Sequence, residues 1–317
     1  MVNQDGNGWT TCDQGHRHWG RFGAAGLLAY ARGQAAGAGR AGEMRRAGEM
    51  RRAGRTGLAG GDGQVCVLLQ RRSWWGNHGG TWGPPGGARD SHESAVTAAL
   101  REAEEECATP AGAVTAAGIL VDDHGGWSYQ TVVAAAPRTF PVRPVSSETS
   151  KACWVAAEHV PALDLHPGFA ASWPVLREAL LPLTIIVDAA NVMGSRPDGW
   201  WRDRAGAAGR LRDQLAGLAA GGVRALPESI RAPALDRWFP QMVLVVEGAA
   251  RPVATAPDPA SPVQVIAAPG SGDDTIVSVA AAREGRRLVV TADRELRARC
   301  EAAGAAVTGP AWLLAQL

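Results

Sequence analysis

One stretch limits what this chain can become more than any other: residues 86–109, GGARDSHESAVTAALREAEEECAT. A glycine pair follows Trp82, Gly83, Pro84 and Pro85, which predicts a sharp turn delivering the backbone into a helix. Ser91 is the expected N-cap, and Val96, Ala99, Leu100, Ala103 and Cys107 recur at helical spacing as one apolar face. Glu102, Glu105 and Glu106 stand three and four residues apart, so their carboxylates are expected to gather on another face. Like charges that close repel, and a hard divalent cation relieves the repulsion. Magnesium or manganese takes oxygen ligands and bridges to phosphate. A solvated acidic helix end is the plain alternative. Solvation, however, does not require glycine and charged positions at one long fixed spacing after Pro-Gly-Gly.

At 317 residues the chain suits two domains, and a hydrophobic content of 46% is enough to give each a core. The formal net charge of +1 points to no particular class of partner. No apolar run approaches the ~20 residues that cross a bilayer, and residues 1–6 lack a signal-peptide pattern. A cytoplasmic protein without a membrane partner is therefore expected. The five cysteines, Cys12, Cys66, Cys107, Cys153 and Cys300, form no CxxC and read as reduced residues. Nothing in the sequence sets an oligomeric state.

Residues 1–18 are polar and read as loop. Cys12, His16 and His18 carry zinc-type donors, but no fourth ligand stands near them at a zinc-finger spacing, so they read as free residues. Apolar runs at 24–30 and 65–69 predict two strands. Between them, residues 33–62 carry AGEMRR at 41–46 and again at 47–52. Too few apolar residues are present for a core, so the segment reads as a flexible basic insertion in a hairpin. Its arginines either meet RNA or are simply solvated. Residues 73–82 bring Trp74, Trp75 and Trp82 ahead of the glycines, as stacking platforms for a base or as core. Further strands are expected at 115–121, 129–135 and 153–155, and a closing helix from Leu165 to Leu180.

Gly87, Glu93, Arg101, Glu102, Glu105 and Glu106 fall in register with the box of the Nudix hydrolases, G-x5-E-x7-R-E-U-x-E-E-x-G-U, where U is a bulky aliphatic. Residues 17–180 resemble that family. Three positions depart: Ala103 is small for its slot, Ala108 replaces the last glycine and Thr109 the last aliphatic. Where a helix ends in a left-handed residue, alanine costs roughly 1 kcal/mol against glycine, and no metal ligand is lost. The resemblance implies an α/β/α sandwich with a mixed sheet over residues 1–182. It implies Mg2+ or Mn2+ on Glu102, Glu105 and Glu106, one of which serves as general base. Gly86, Gly87, Glu93 and Arg101 would be structural, the last two as a pair. It also implies that Glu148, in the loop before the strand at 153–155, approaches the metals as ligand or base.

From Pro182 the pattern changes. Strands expected at 183–187, 242–246, 263–267 and 287–291 alternate with helices at 203–218, 275–282 and 293–303. Residues 307–308 and a helix at 312–317 end the chain. This alternation predicts a mainly parallel sheet with right-handed crossovers over residues 183–317. Its strands end in acids: Asp188, Glu247, Asp273 with Asp274, and Asp293, with Asn191 near the first. Ligands of open parallel sheets sit beyond the carboxyl ends of the strands, so these acids are expected to converge on a divalent metal. Helix capping accounts for Asp273 or Asp293, but not also for Asp188 and Glu247. Asp188-Ala-Ala-Asn191, Gly272-Asp273-Asp274 and Thr291-Ala-Asp293-Arg294 resemble the NYN family of PIN-like ribonucleases. That resemblance implies magnesium- or manganese-dependent cleavage of RNA, with Asp188 and Asp293 in the catalytic set. Glu247 stands where such relatives often carry Asp.

The resulting expectation is an α/β protein of two domains. The first is a Mg2+-dependent Nudix pyrophosphohydrolase acting on a nucleoside diphosphate linked to another group. The second is a metal-dependent nuclease-like domain. Two alternatives stay open: an endoribonuclease whose Nudix half senses a nucleotide, and a non-catalytic nucleotide-binding regulator. The intact glutamate set argues against the last, because a pure binder gains nothing from such repulsion.

Overall fold

The computed structural model describes residues 5–33, 63–75, 78–255 and 261–317, so the expected insertion at 33–62 lies outside the described residues apart from Gly33. The chain divides into two compact units, Met1–Leu180 and Leu181–Leu317.

In the first unit, the N-terminal residues expected as loop form a hairpin. Strands β1 (Trp9–Thr11) and β2 (Arg17–Trp19) pair antiparallel, with Trp9 opposite Trp19. Strand β3 (Ala24–Arg32) is buried along its length except at Arg32. Both faces are covered, which is why its sequence shows no polar alternation. Next come β4 (Val65–Arg72), β5 (Trp82–Gly83), β6 (Gly86–Ala88) and helix α1 (Ala95–Cys107). Strands β7 (Thr115–Asp123), β8 (Ser128–Ala135) and β9 (Thr149–Ala156) and helix α2 (Pro167–Ala179) complete the unit. The sheet is mixed: β3 runs parallel to β8 and antiparallel to β4 and β6. In turn β4 carries β5 and β9, and β7 lies against β8, all antiparallel.

Three local expectations change. The glycine pair makes no turn; Gly86 and Gly87 belong to β6, opposite Gly26 and Ala25 of β3. A Cβ on Gly86 would lie 2.5 Å from the Ala25 carbonyl oxygen, so the strand needs glycine for close approach. The N-cap of α1 is Ser94, whose hydroxyl accepts the Thr97 N–H at 3.0 Å, while Ser91 turns its N–H and hydroxyl to Asp5. The buried face of α1 consists of Ala95, Ala98, Ala99, Ala103, Glu106 and Cys107, and Leu100 is exposed. Small residues let this helix lie close on β3, and a bulky side chain at Ala103 has no room to be useful there. The helix ends in a left-handed residue although glycine is missing there: Ala108 adopts φ 56°, ψ 38°, and N–H groups of Ala108 and Thr109 reach back to Glu104 and Ala103.

The second unit carries a fully parallel five-stranded sheet in the order β13-β12-β10-β14-β15. Its elements are β10 (Leu183–Asp188), α3 (Ala189–Gly194), α4 (Arg204–Gly221), β11 (Arg237–Trp238), β12 (Gln241–Val246) and β13 (Val263–Ala267). They continue with α5 (Gly272–Ala282), β14 (Arg286–Val290), α6 (Arg294–Ala302), β15 (Ala306–Thr308) and α7 (Pro310–Leu314). Strand alternation sends Ile185, Val187 and Leu244 to one face, where Leu211 and Leu215 of α4 meet them. Ile186, Val243 and Val289 go to the other, against Ile276 of α5 and Leu296 of α6. Among the described residues, no helix is long and apolar enough to cross a membrane.

Candidate active site

Beside α1 opens a cavity of about 860 Å³, a size that suits a nucleotide. Glu102, Glu105 and Arg101 of α1, Gly86 and Gly87 of β6, and Glu148 just before β9 all line it. Its aromatic lining includes Trp75, Trp127 and Phe169. Gly87 leaves space for Glu102: a Cβ there would stand 2.6 Å from the Glu102 carboxylate.

Arg101 ties this corner together. It grips Glu93 through two hydrogen bonds of 2.8 and 2.9 Å and donates to the Ala88 carbonyl at 3.0 Å. Its remaining nitrogen reaches Glu102 at 2.7 Å and Glu105 at 3.3 Å. The guanidinium beside Glu93 holds that carboxyl below the usual range and is itself held charged. Burial pushes the Glu102 carboxyl up despite Arg101.

The three glutamates do not share one open face. Among the described residues, their ligand atoms do not all fall within 4.8 Å of one another, and Glu106 turns inward. Its Oε2 accepts the Gly86 N–H at 2.8 Å and the Gln70 side-chain amide at 2.7 Å. The Gln70 oxygen in turn accepts the Thr149 hydroxyl. Burial and the neighbouring Glu102 charge push the Glu106 carboxyl up to about 7, against the lowering effect of those two donors. Gln70 and Thr149 were not singled out from sequence. The available signal was the first polar side chain after the apolar run VCVLL, the one uncharged member of Gln70-Arg71-Arg72. His166 also lines the cavity; burial first, then His78 and Arg72, lower it to about 4, so its imidazole is neutral.

In the second unit, Asp188 is buried at the end of β10. Contrary to the expectation from sequence, Asp188 does cap a helix: its carboxylate accepts the Asn191 N–H at the start of α3, and also the Asn191 side chain and the Thr291 hydroxyl. Glu247 follows β12 and accepts the Gly272 N–H at 2.8 Å, and Asp293 caps α6. Burial pushes the Asp273 carboxyl up, and the charges of Asp188, Asp293 and Glu247 push it further. These four acids are therefore electrostatic neighbours. Asp274, read with Asp273 from sequence, instead meets Arg299 at 2.5 Å. It stands one residue further around α5 and points to a cation already present.

With the mixed sheet, the box helix and the acid-lined cavity in place, the comparisons fix the class: this chain belongs to the Nudix hydrolase family. The NUDIX domain model matches residues 50–178. Among individual relatives, the chain is 41% identical over 191 residues to a protein of Mycobacterium tuberculosis named putative 8-oxo-dGTP diphosphatase 3, covering 58% of this chain and 74% of that one. It is 33% identical over 175 residues to a nucleoside triphosphate pyrophosphatase/Nudix hydrolase fusion protein of Bifidobacterium longum, covering 55% and 31%. The crystal structure of the Nudix hydrolase RenU from M. smegmatis is 38% identical, covering 55% of this chain and 94% of that one with a TM-score of 0.44.

Proposed function

We propose that the N-terminal unit is a Mg2+- or Mn2+-dependent pyrophosphohydrolase acting on a nucleoside diphosphate linked to another group. An 8-oxopurine deoxynucleoside triphosphate is the first substrate to test, a choice supported by the name of the 41%-identical relative. The observation that carries the reading is the meeting of Glu102, Glu105 and Glu148 on one cavity that also presents aromatic faces. Glu102, Glu105 and Glu106 would hold the metal. Glu102 and Glu105 already line the cavity, and Glu106 would join them by turning its carboxylate from Gly86 and Gln70; a divalent cation there offsets the effects that raise Glu102 and Glu106. Bound there, such an ion neutralises diphosphate charge and lowers the pKa of a coordinated water. Glu148 is the candidate acceptor of the proton lost by the attacking water. Arg101 orients Glu102 while pinning α1 to β6 through the Ala88 carbonyl. Water attack on the diphosphate then yields a nucleoside monophosphate and the remaining group. Purified protein is to be screened against a nucleotide panel with Mg2+. Glu105→Gln should lower turnover by about two or more orders of magnitude with the fold intact. Near-normal turnover in this variant sinks the assignment.

For the second unit we propose a PIN-like, NYN-type nuclease. The proximity of Asp273 to Asp188, Asp293 and Glu247 beyond the carboxyl ends of parallel strands supports it. Acids that influence one another at this sheet edge suit magnesium or manganese and a phosphodiester substrate such as RNA, although among the described residues no three of their ligand atoms fall within 4.8 Å of one another. Asp188→Asn keeps the size of the side chain and should abolish Mn2+-dependent RNA cleavage while sparing nucleotide hydrolysis. RNA cleavage that persists unchanged ends the nuclease reading. Loss of both activities together would mean that the two sites are coupled and that the units do not act independently.

A further inference from the structure

The N-terminal hairpin and the turn between β7 and β8 bring together four side chains from two distant parts of the sequence. Cys12, His16 and His18 come from the hairpin and His124 from the other turn, each offering a ligand atom within 4.8 Å of all the others. From sequence the first three looked one ligand short. The fourth is supplied by the fold, more than a hundred positions along the chain.

We propose that Cys12, His16, His18 and His124 bind a structural zinc ion. One thiolate and three imidazoles form a complete tetrahedral donor set, with a soft sulfur that magnesium and calcium do not favour. Zinc–nitrogen bonds of about 2.0–2.1 Å and a zinc–sulfur bond of about 2.3 Å put ligand atoms roughly 3.3–3.8 Å apart. The observed grouping therefore needs only small side-chain rotations. An independent observation points the same way. His18 Nε2 and His124 Nδ1 are both buried without a hydrogen-bond partner, an arrangement that is costly unless something binds there. The other nitrogen of His124, Nε2, meets the Asp122 carboxylate at 3.3 Å. That contact leaves Nδ1 as the lone-pair nitrogen and supplies the carboxylate–histidine pairing that zinc ligands commonly use.

The backbone is already organised for the role. Asp13 N–H donates to the Gly125 carbonyl at 2.9 Å, Cys12 N–H to His16 at 3.0 Å, and His124 N–H to Trp127 at 2.9 Å. Cys12 is 4% exposed, so its sulfur faces the group and not solvent. His18 stacks on Trp127 with ring centroids 4.0 Å apart, and both rings line the cavity beside α1. The ion would thus fasten the hairpin to the β7–β8 turn and hold one wall of the cavity that Glu102 and Glu105 also line.

The full-length protein is the right material for the test. Metal analysis after purification should find about one zinc per chain, and Cys12→Ser and His16→Ala should each lower the zinc retained at least tenfold. His16 is exposed, so its replacement leaves the core untouched and keeps the test open if Cys12→Ser folds poorly. Co2+ added to the stripped protein should give a thiolate-to-metal charge-transfer band that disappears in Cys12→Ser, which separates this site from any metal held by glutamates. Asp122→Asn should weaken zinc binding about 10–100-fold. Zinc content unchanged in Cys12→Ser and His16→Ala, or a wild-type protein without zinc and without the cobalt band, overturns the proposal.

Discussion

Replacing Glu106 by glutamine should make the metal-free protein more stable at neutral pH and at the same time abolish nucleotide hydrolysis. A carboxyl moved from its ordinary 4.5 to about 7 makes ionisation in the folded state cost about 3 kcal/mol. The sign follows from proton binding. Below pH 4.5 the group is protonated folded and unfolded, and nothing is lost. As pH rises from 4.5 to about 7, the unfolded chain gives up its proton while the folded one retains it, so stability falls; above about 7 the full loss is in place. Glutamine keeps the shape, and its oxygen can still accept from Gly86 and Gln70. Urea unfolding with chelator at pH 4 and pH 8 should show wild type losing roughly 3 kcal/mol more than Glu106→Gln over that interval. Saturating Mg2+ at pH 8 should raise the stability of wild type by more than that of the variant. Parallel pH profiles for the two proteins would refute the reasoning, because Glu106 would then not be the buried proton carrier.

Three further outcomes are expected. Ala108→Gly should stabilise the protein by about 1 kcal/mol in chemical denaturation, since Ala108 holds a left-handed conformation that glycine adopts freely. Arg101→Lys should cost about 2 kcal/mol in the same measurement, because a single ammonium cannot reproduce the two-bond grip on Glu93 and the bond to the Ala88 carbonyl. Replacing residues 34–62 with a short Asn-Gly turn should preserve melting temperature and hydrolysis. The flanking strands already pair as far as Arg32 opposite Val65, with Gly33 N–H on the Gln64 carbonyl at 3.0 Å; aggregation of the shortened protein would show otherwise.

The elements that could be read from sequence were those whose pattern is written in their own residues. The apolar runs LLAY, VCVLL and LTIIV announce buried strands, and the alternation of strands with helices after Pro182 announces a parallel sheet. Features that depend on a distant partner were not legible. Gly86 and Gly87 look like a turn because nothing local shows that β3 will pair with them. Leu100 counts as apolar at helical spacing, yet the alanines sit one notch around and win the contact with β3 because they are small. Strands β1 and β2 are three residues each with Trp9 and Trp19 exposed, so no apolar run marks them. Within the candidate sites the glutamate spacing was readable, but the inward turn of Glu106 onto Gln70 was not. His124 joins Cys12, His16 and His18 only because the chain folds back on itself.

The parallel pairing of β3 with β8 also sets a timetable for synthesis. On the ribosome β3 emerges early, while its parallel neighbour follows about 100 residues later, several seconds behind at ordinary elongation rates. Until β8 arrives, a nine-residue strand with only one exposed position at its end has an open edge and two uncovered apolar faces. Pairing with β4 over Tyr30–Arg32 and with β6 over Ala24–Gly26 covers parts of one edge, but the other edge waits for a still more distant contact of the kind that slows folding. A nascent chain released before Ala135 would therefore present β3 to other chains, and chaperone demand during translation should peak between the emergence of β4 and that of β8.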